Sequence, residues 1–330
     1  MNFHEFTTQV ISEMRRRFPG YDIQVQEVPK LQGESYTGMA IHPSGGDIAL
    51  TMDLEALFDR FRNDLYLGNP MKAIEREIKE AVAQMPQFDT EALTNYERMK
   101  EKLTLQLVPS AKNKNLLTDI PHRNIEDMAL AYRFDMGYNE RTSYSILVTN
   151  KMLNAYGISA AQLHDDALEA ASHSCPATLR NMNEVIHNMA GQTDPSPMWV
   201  ASIENGQNGA CVIQYPHFLD DAAETLGGSF YVLPSSIHEV LLLADDTSPS
   251  LSELENMVRT INQAEVAPEE RLSDNVFHYD CESHIFENAR TFEARQSAME
   301  QSLVNAELFE AAKPDTMTVL LVQPNAYPRV

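Results

Sequence analysis

FYVLPSSIHEVLLLADD, residues 230–246, decides the fold class. Two apolar runs, Phe230–Leu233 and Ile237–Leu243, flank a Pro-Ser-Ser turn, and each is short and rich in Val, Leu or aromatic residues. This is how strands joined by a tight connection read. Ser250–Ala264 then reads as one amphipathic helix. Helices and hairpins gathered in separate blocks, rather than strictly alternating, argue for an α+β fold of mixed, largely antiparallel sheets covered by helices.

The same pattern extends outward from this stretch. Upstream, Met198–Ile203 and Ala210–Gln214 read as a hairpin across Asn205–Gly209, followed by a helix over Pro216–Leu226. Gly191–Pro197 has the composition of an internal linker, and two helices, Ser159–Ser172 and Ala177–Met189, precede it. Ser159 is the expected N-cap of the first, because its hydroxyl can accept from a free first-turn N–H. Asp127–Met136 and Ser143–Thr149 read as paired strands, Leu103–Val108 as a strand, and Ser110–Asn115 as a Lys-Asn loop. The opening third predicts a helix over Phe3–Phe18, strands at Tyr21–Val28, Tyr36–His42 and Ile48–Leu54, and helices from Leu54, Met71 and Asp89. Downstream, a long helix over Thr291–Ala312 and a late strand at Thr318–Val322 are expected. These divisions give an N-terminal α+β region (1–110), a second α+β region (111–290) and a C-terminal helix and tail (291–330).

At 330 residues with 43% hydrophobic and 22% charged residues, the chain has the composition of a soluble globular protein. Asp and Glu outnumber Lys and Arg by 48 to 25, for a formal net charge of −23. Nucleic-acid affinity comes mainly from cationic contacts to phosphate, so direct nucleic-acid binding is not expected. The one dense basic run, Arg15-Arg16-Arg17, reads as a solvated face at a helix C-terminus, where it complements the dipole. Three widely spaced cysteines, no secretory leader and no long apolar run point to a cytoplasmic protein without a membrane span.

Phosphate-binding glycine loops, serine-hydrolase elbows and the zincin motif are absent from the sequence. Ser235, Ser236, His238 and Glu239 place two hydroxyls, an imidazole and a carboxylate on one turn. A serine and a histidine can form a nucleophile and its base, with a carboxylate orienting the ring. The same residues also suit a turn whose serines bond the local backbone. Glu269, Glu270 and Asp274, with His278 and Asp280, form a second polar segment, and Pro268-Glu269-Glu270 reads as a helix start. His278, Asp280, Cys281, Glu282 and His284 are competent metal ligands, and on a strand His278, Asp280 and Glu282 would share one face. A structural metal site draws paired ligands from two elements, and no second cluster is evident, so no metal or cofactor is expected.

LLTDIPHR (116–123), SILVTN (145–150), YGIS (156–159), VLPSSIHEV (232–240) and PEERLSD (268–274) together resemble the uncharacterised bacterial family DUF5688. The resemblance runs from the first helix to about Asp280 and implies a cytoplasmic bacterial protein, often encoded near mobile elements. It implies no reaction, and it places no function after Arg290. Three functions stay open on the residues. The first is a binding or regulatory protein with a protein partner. The second is a hydrolase-like enzyme using the Ser235–Glu239 turn and the Glu269–Asp280 segment. The third is an acidic mimic of nucleic acid. The residues favour binding.

Overall fold

The computed structural model describes residues 1–33, 35–43, 50–63, 70–84, 90–138, 143–186, 196–247 and 249–311. Most of the expected linker Gly191–Pro197 and all of the expected late strand at Thr318–Val322 lie outside them. The fold is α+β, with helices packed on three antiparallel sheets.

The first sheet is small. Helix α1 (Phe3–Arg17) starts with a capping box, in which Asn2 Oδ1 accepts from Glu5 N at 2.9 Å and the Glu5 carboxylate accepts from Asn2 N at 3.0 Å. Two otherwise orphaned first-turn donors are thereby satisfied. Strands β1 (Tyr21–Val28), β2 (Tyr36–Pro43) and β3 (Leu50–Asp53) follow, then helices α2 (Leu54–Asn63) and α3 (Pro70–Gln84). Phe6, Val10 and Met14 of α1 meet Met39 and Ile41 of β2, Leu54 of α2 and Ile78 of α3 in one core. The basic run is more than a solvated face. Arg15 Nε donates to Ile23 O at 2.8 Å, and Arg17 bridges Glu13 to Glu75 of α3. Guanidinium forks at the helix end can reach both a neighbouring strand and a neighbouring helix.

The second sheet follows two short helices, α4 (Thr90–Leu93) and α5 (Tyr96–Met99), which replace the single helix expected from Asp89; Asn95 ends one and caps the next. Strand β4 (Leu103–Pro109) leads into α6 (Ser110–Leu117), then β5 (His122–Ile125), β6 (Met128–Tyr138) and β7 (Ser143–Leu147). Long β6 pairs with β4 on one side and with β5 and β7 on the other. The Lys-Asn loop expected at Ser110–Asn115 is helical because tertiary contacts override composition. Buried Asn113 accepts from Gln32 N at 2.8 Å and donates to Gln32 Oε1 at 3.0 Å, while Gln32 Nε2 donates to Arg271 O at 2.9 Å. Helices α7 (Asn150–Tyr156) and α8 (Ala160–Ser174) complete this part, with Ser159 capping α8 through Gln162 N at 3.1 Å as expected.

The third sheet has six strands: β8 (Ala177–Asn181), β9 (Met198–Ile203), β10 (Phe230–Pro234), β11 (Val240–Ala244), β12 (Phe277–Asp280) and β13 (Ile285–Asn288), in the order β13-β12-β10-β11-β9-β8. Strand β10 is buried along its whole length, which explains its unbroken apolar run. Phe230 and Val232 face the main core with Leu242 and Phe277, and Tyr231 and Leu233 face Leu254 and Val258 of the helix behind the sheet. The helices of this part are α9 (Met182–Ile186), α10 (Phe218–Leu226), α11 (Leu251–Ala264) and α12 (Ala289–Ala311). No helix among the described residues is long and apolar enough to cross a membrane.

Two expectations fail here for physical reasons. Ala177–Met189 is not one helix: β8 pairs along β9, and Asn181 ends it by accepting from Ser196 N at 3.2 Å and donating to Ser196 O at 2.8 Å. Residues beyond Ile186 in that range lie outside the description. Ala210–Gln214 is not the second strand of a hairpin, because β9 is already flanked by β8 and β11; the segment forms a 3-10 helix over Gly209–Gln214.

The paired amides of Gln32 and Asn113 tie the β1–β2 connection to α6, and Gln32 extends the tie to Arg271. Replacing Asn113 by Ala leaves a backbone N–H and an amide oxygen buried without partners. Urea denaturation should show a loss of about 1–3 kcal/mol, against less than half of that for exposed Asn115→Ala.

Candidate functional site

The turn between β10 and β11 holds the Ser235–Glu239 residues in a network that is mostly internal. Ser235 Oγ donates to Glu239 Oε1 at 3.3 Å, and Ser236 N donates to Glu239 O at 3.2 Å. Ser236 Oγ accepts from the backbone N–H of His238 at 3.0 Å, so it meets the main chain of that residue and not the ring. The ring is oriented from elsewhere. Asn208 N donates to His238 Nδ1 at 3.1 Å, which places the proton of a neutral ring on Nε2. Nε2 lies 3.6 Å from Glu270 Oε1, and Ile237 N donates to Glu270 O at 2.8 Å. The structure therefore brings His238 and Glu270 together, both of them partly exposed.

The other predicted residues go elsewhere. Glu269 is exposed, in a turn that continues into extended chain instead of starting a helix. Asp274 accepts from Asn262 Nδ2 at 2.7 Å and pins its loop to α11. His278 is fully buried, with Nε2 3.1 Å from Asp245 Oδ2 and its ring stacked on Phe292 of α12 at 3.6 Å between centroids. Asp280 pairs with Arg295 of α12 at 3.0 Å. Strand β12 stops at Asp280, so Glu282 falls in a turn and does not share their face, while His284 turns away to Asp220 of α10 at 2.7 Å. Among the described residues, no group of three or more His, Cys, Asp or Glu side chains is placed to hold a metal ion.

The His238 turn backs the wall of a cleft that sequence reasoning missed. The cleft has a volume of about 480 Å³, within the range of small-molecule sites. Its floor is the face of the second sheet turned away from the main core, where pairing sets Arg133 of β6 opposite Thr104 of β4 and Leu147 of β7. One wall is the β1–β2 connection at Pro29–Leu31. The other is the loop Asn205–Asn208 with the 3-10 helix behind it, contributing Cys211 and Tyr215. Tyr215 OH donates to Ala171 O at 3.2 Å and to Cys175 O at 3.1 Å, fixing that helix on α8. Burial pushes the Cys211 thiol up to about 12, which leaves it a poor nucleophile.

Among the described residues, Arg133 is the one cation on the floor. Nε and Nη2 donate to Ser145 Oγ at 3.0 and 2.7 Å, and Nη1 faces Gln106 Oε1 at 3.4 Å. Among the described residues these partners are all neutral and Arg133 forms no ion pair, whereas Glu75, Glu77, Glu97, Glu255 and Glu287 each meet an Arg or Lys. A signal was present in the sequence: Arg133 interrupts the apolar run of β6, and alternation sends it to the face opposite Tyr132 and Phe134.

Two measurements follow from this geometry. A Cβ at Gly209 would sit 2.2 Å from Ser202 Oγ and 2.5 Å from His238 O, so Gly209→Ala must displace backbone. A loss of about 2 kcal/mol in urea denaturation is expected, along with shifts in the amide resonances of Asn205–Asn208. At Asp280 burial is the largest influence and acts to raise the pKa. The bonds from Arg295, Ser283 and the N–H groups of Glu282 and Ser283 outweigh it and hold the carboxyl at about 2. A carboxyl depressed by folding stabilises above its unfolded pKa, and that stability is lost as the pH falls from near 4 through 2. Wild type should therefore lose about 2 kcal/mol more than Asp280→Asn between pH 5 and pH 2, read from urea midpoints.

No curated protein and no solved structure matches the chain. Residues 3–281, from α1 to the end of β12, match one protein family, and the match takes in the Ser235–Glu239 turn and all the lining of the cleft. The chain belongs to the Family of unknown function (DUF5688).

Proposed function

We propose that this protein works by binding, and that its ligand enters the cleft between β6 and the Asn205–Asn208 loop. One observation carries this reading: the polar groups of the Ser235–Glu239 turn are already engaged, the serine hydroxyls within the turn and the His238 ring in holding that loop. His238 Nδ1 accepts from Asn208 N, so it is not free to take a proton from a serine. The hydroxyl of Ser236 faces a backbone N–H, and that of Ser235 faces Glu239. A serine nucleophile needs its base within about 3 Å of the hydroxyl. The hydrolase-like alternative has no such pairing at Ser235 or Ser236, and the nucleic-acid mimic is disfavoured where Arg side chains pair with carboxylates, as at Glu13, Glu77 and Glu255. A segment of a protein partner or a free small molecule are both ligands a cleft of this size can take.

A fluorophosphonate probe, which labels serines activated by a neighbouring base, tests the reading. No stoichiometric adduct is expected at Ser235 or Ser236 by intact-protein mass spectrometry. An adduct at either serine that is abolished in His238→Ala would establish hydrolase-type chemistry and overturn the proposal.

A further inference from the structure

Arg133 sits on the cleft floor and forms no ion pair among the described residues. Its donors meet a hydroxyl and an amide oxygen, both neutral. Burial acts against that charge and pulls its pKa down. A guanidinium held partly out of water and bonded only to neutral groups is poorly compensated, and an oxyanion compensates it best. This occurs in a chain whose formal charge is −23, so the cation is not there to serve a general basic surface.

The surroundings restrict the anion. Among the described residues the other charged groups lining the cleft are Lys30 and Asp135, so the lining as a whole carries one net positive charge. A phosphate dianion calls for more positive charge or a nest of backbone N–H groups. A carboxylate matches a single guanidinium in both charge and planar fork geometry. Leu147, Ile203 and Tyr215 supply apolar lining in the same cleft. From these contacts we infer that the cleft binds a carboxylate-bearing ligand, the carboxylate on Arg133 and an apolar body against Leu147 and Ile203. The inference rests on the cleft being the ligand site, and it adds the ligand's chemistry. The carboxylate belongs either to a free organic acid or to the C-terminus of a peptide.

Calorimetric titration of the full chain separates these cases. The probes are hexanoate, hexanamide, inorganic phosphate, and N-acetyl-Gly-Leu as free acid and as amide. Saturable binding is expected for the carboxylates, at least tenfold tighter than for the matching amides and tighter than for phosphate. Arg133→Gln should weaken carboxylate binding at least tenfold and leave amide binding unchanged. In Gln106→Glu a carboxylate replaces the amide oxygen now 3.4 Å from Arg133 Nη1, so the arginine is kept and neutralised in place. This variant should lose carboxylate binding to the same degree. Urea midpoints check that both variants are folded, and loss in either folded variant suffices. The tighter of hexanoate and N-acetyl-Gly-Leu identifies the source. Absence of saturable carboxylate binding, equal affinity for acid and amide, preference for phosphate, or unchanged affinity in both variants overturns the inference. Amides that bind the cleft as tightly as acids would leave cleft binding standing and remove only its charge selectivity. A serine adduct would remove the binding reading independently.

Discussion

There is no room for a side chain at residue 209, and much of the cleft's geometry depends on that. The missing Cβ lets the start of the 3-10 helix lie against Ser202 of β9 and the carbonyl of His238 as the chain enters β11. Ser202 Oγ donates to that same carbonyl at 2.8 Å, and Ala210 N donates to Ile237 O at 3.2 Å. β9, the 3-10 helix that follows it and the distant chain entering β11 are thereby held in close contact. Asn208 takes a left-handed conformation just before the contact, a conformation Asn tolerates better than most residues, and this aims its N–H at the His238 ring. The imidazole acts as a fixed acceptor in this position. The Asn205–Asn208 wall is anchored by backbone packed closely on backbone at Gly209.

The opposite side of the cleft follows from strand alternation. On β6, Leu130, Tyr132 and Phe134 enter the main core, so Ala129, Ala131 and Arg133 must point the other way. The two alanines are covered by Leu31 and Leu117 in a small separate cluster. That cover ends before Arg133, and the sheet face beyond it is the cleft floor. A large residue placed where cover stops has access to solvent and to ligand while its stem remains packed. The position of the cleft thus follows from where the β1–β2 connection crosses the sheet, which Gln32 and Asn113 set by their paired amide bonds.

Strands were legible in the sequence wherever burial was strong. β10, β11 and β6 read directly because their burial pattern is their composition. Segments stabilised by particular partners were not legible. The helix at Ser110 depends on Asn113 meeting Gln32, a residue 81 positions away, and β8 depends on a free edge of β9. Residue types singled out the polar turn at Ser235–Glu239 and the Glu269–Asp280 segment, but they could not show that Ser236 faces a backbone N–H or that Glu270, and not Asp280, lies beside His238. Arg133 was passed over because a single arginine in a strand carries no motif. What sets it apart is that it forms no ion pair among the described residues, which is a property of three dimensions.

The far edge of the six-stranded sheet shows why the fold extends past the family match at residue 281. His278, Asp280 and Glu287 are buried polar residues on the face that α12 covers. An ionised carboxylate out of water requires a partner, and two of them side by side require a cation between them. Arg295 meets both Asp280 and Glu287, while Phe292, one turn earlier, covers the His278 ring. Without α12 the sheet would present two adjacent carboxylates and an imidazole to solvent on its outermost strands. The helix is therefore part of the sheet's electrostatic closure, and residues after Arg290, where no function was expected, include two that the predicted residues His278 and Asp280 depend on.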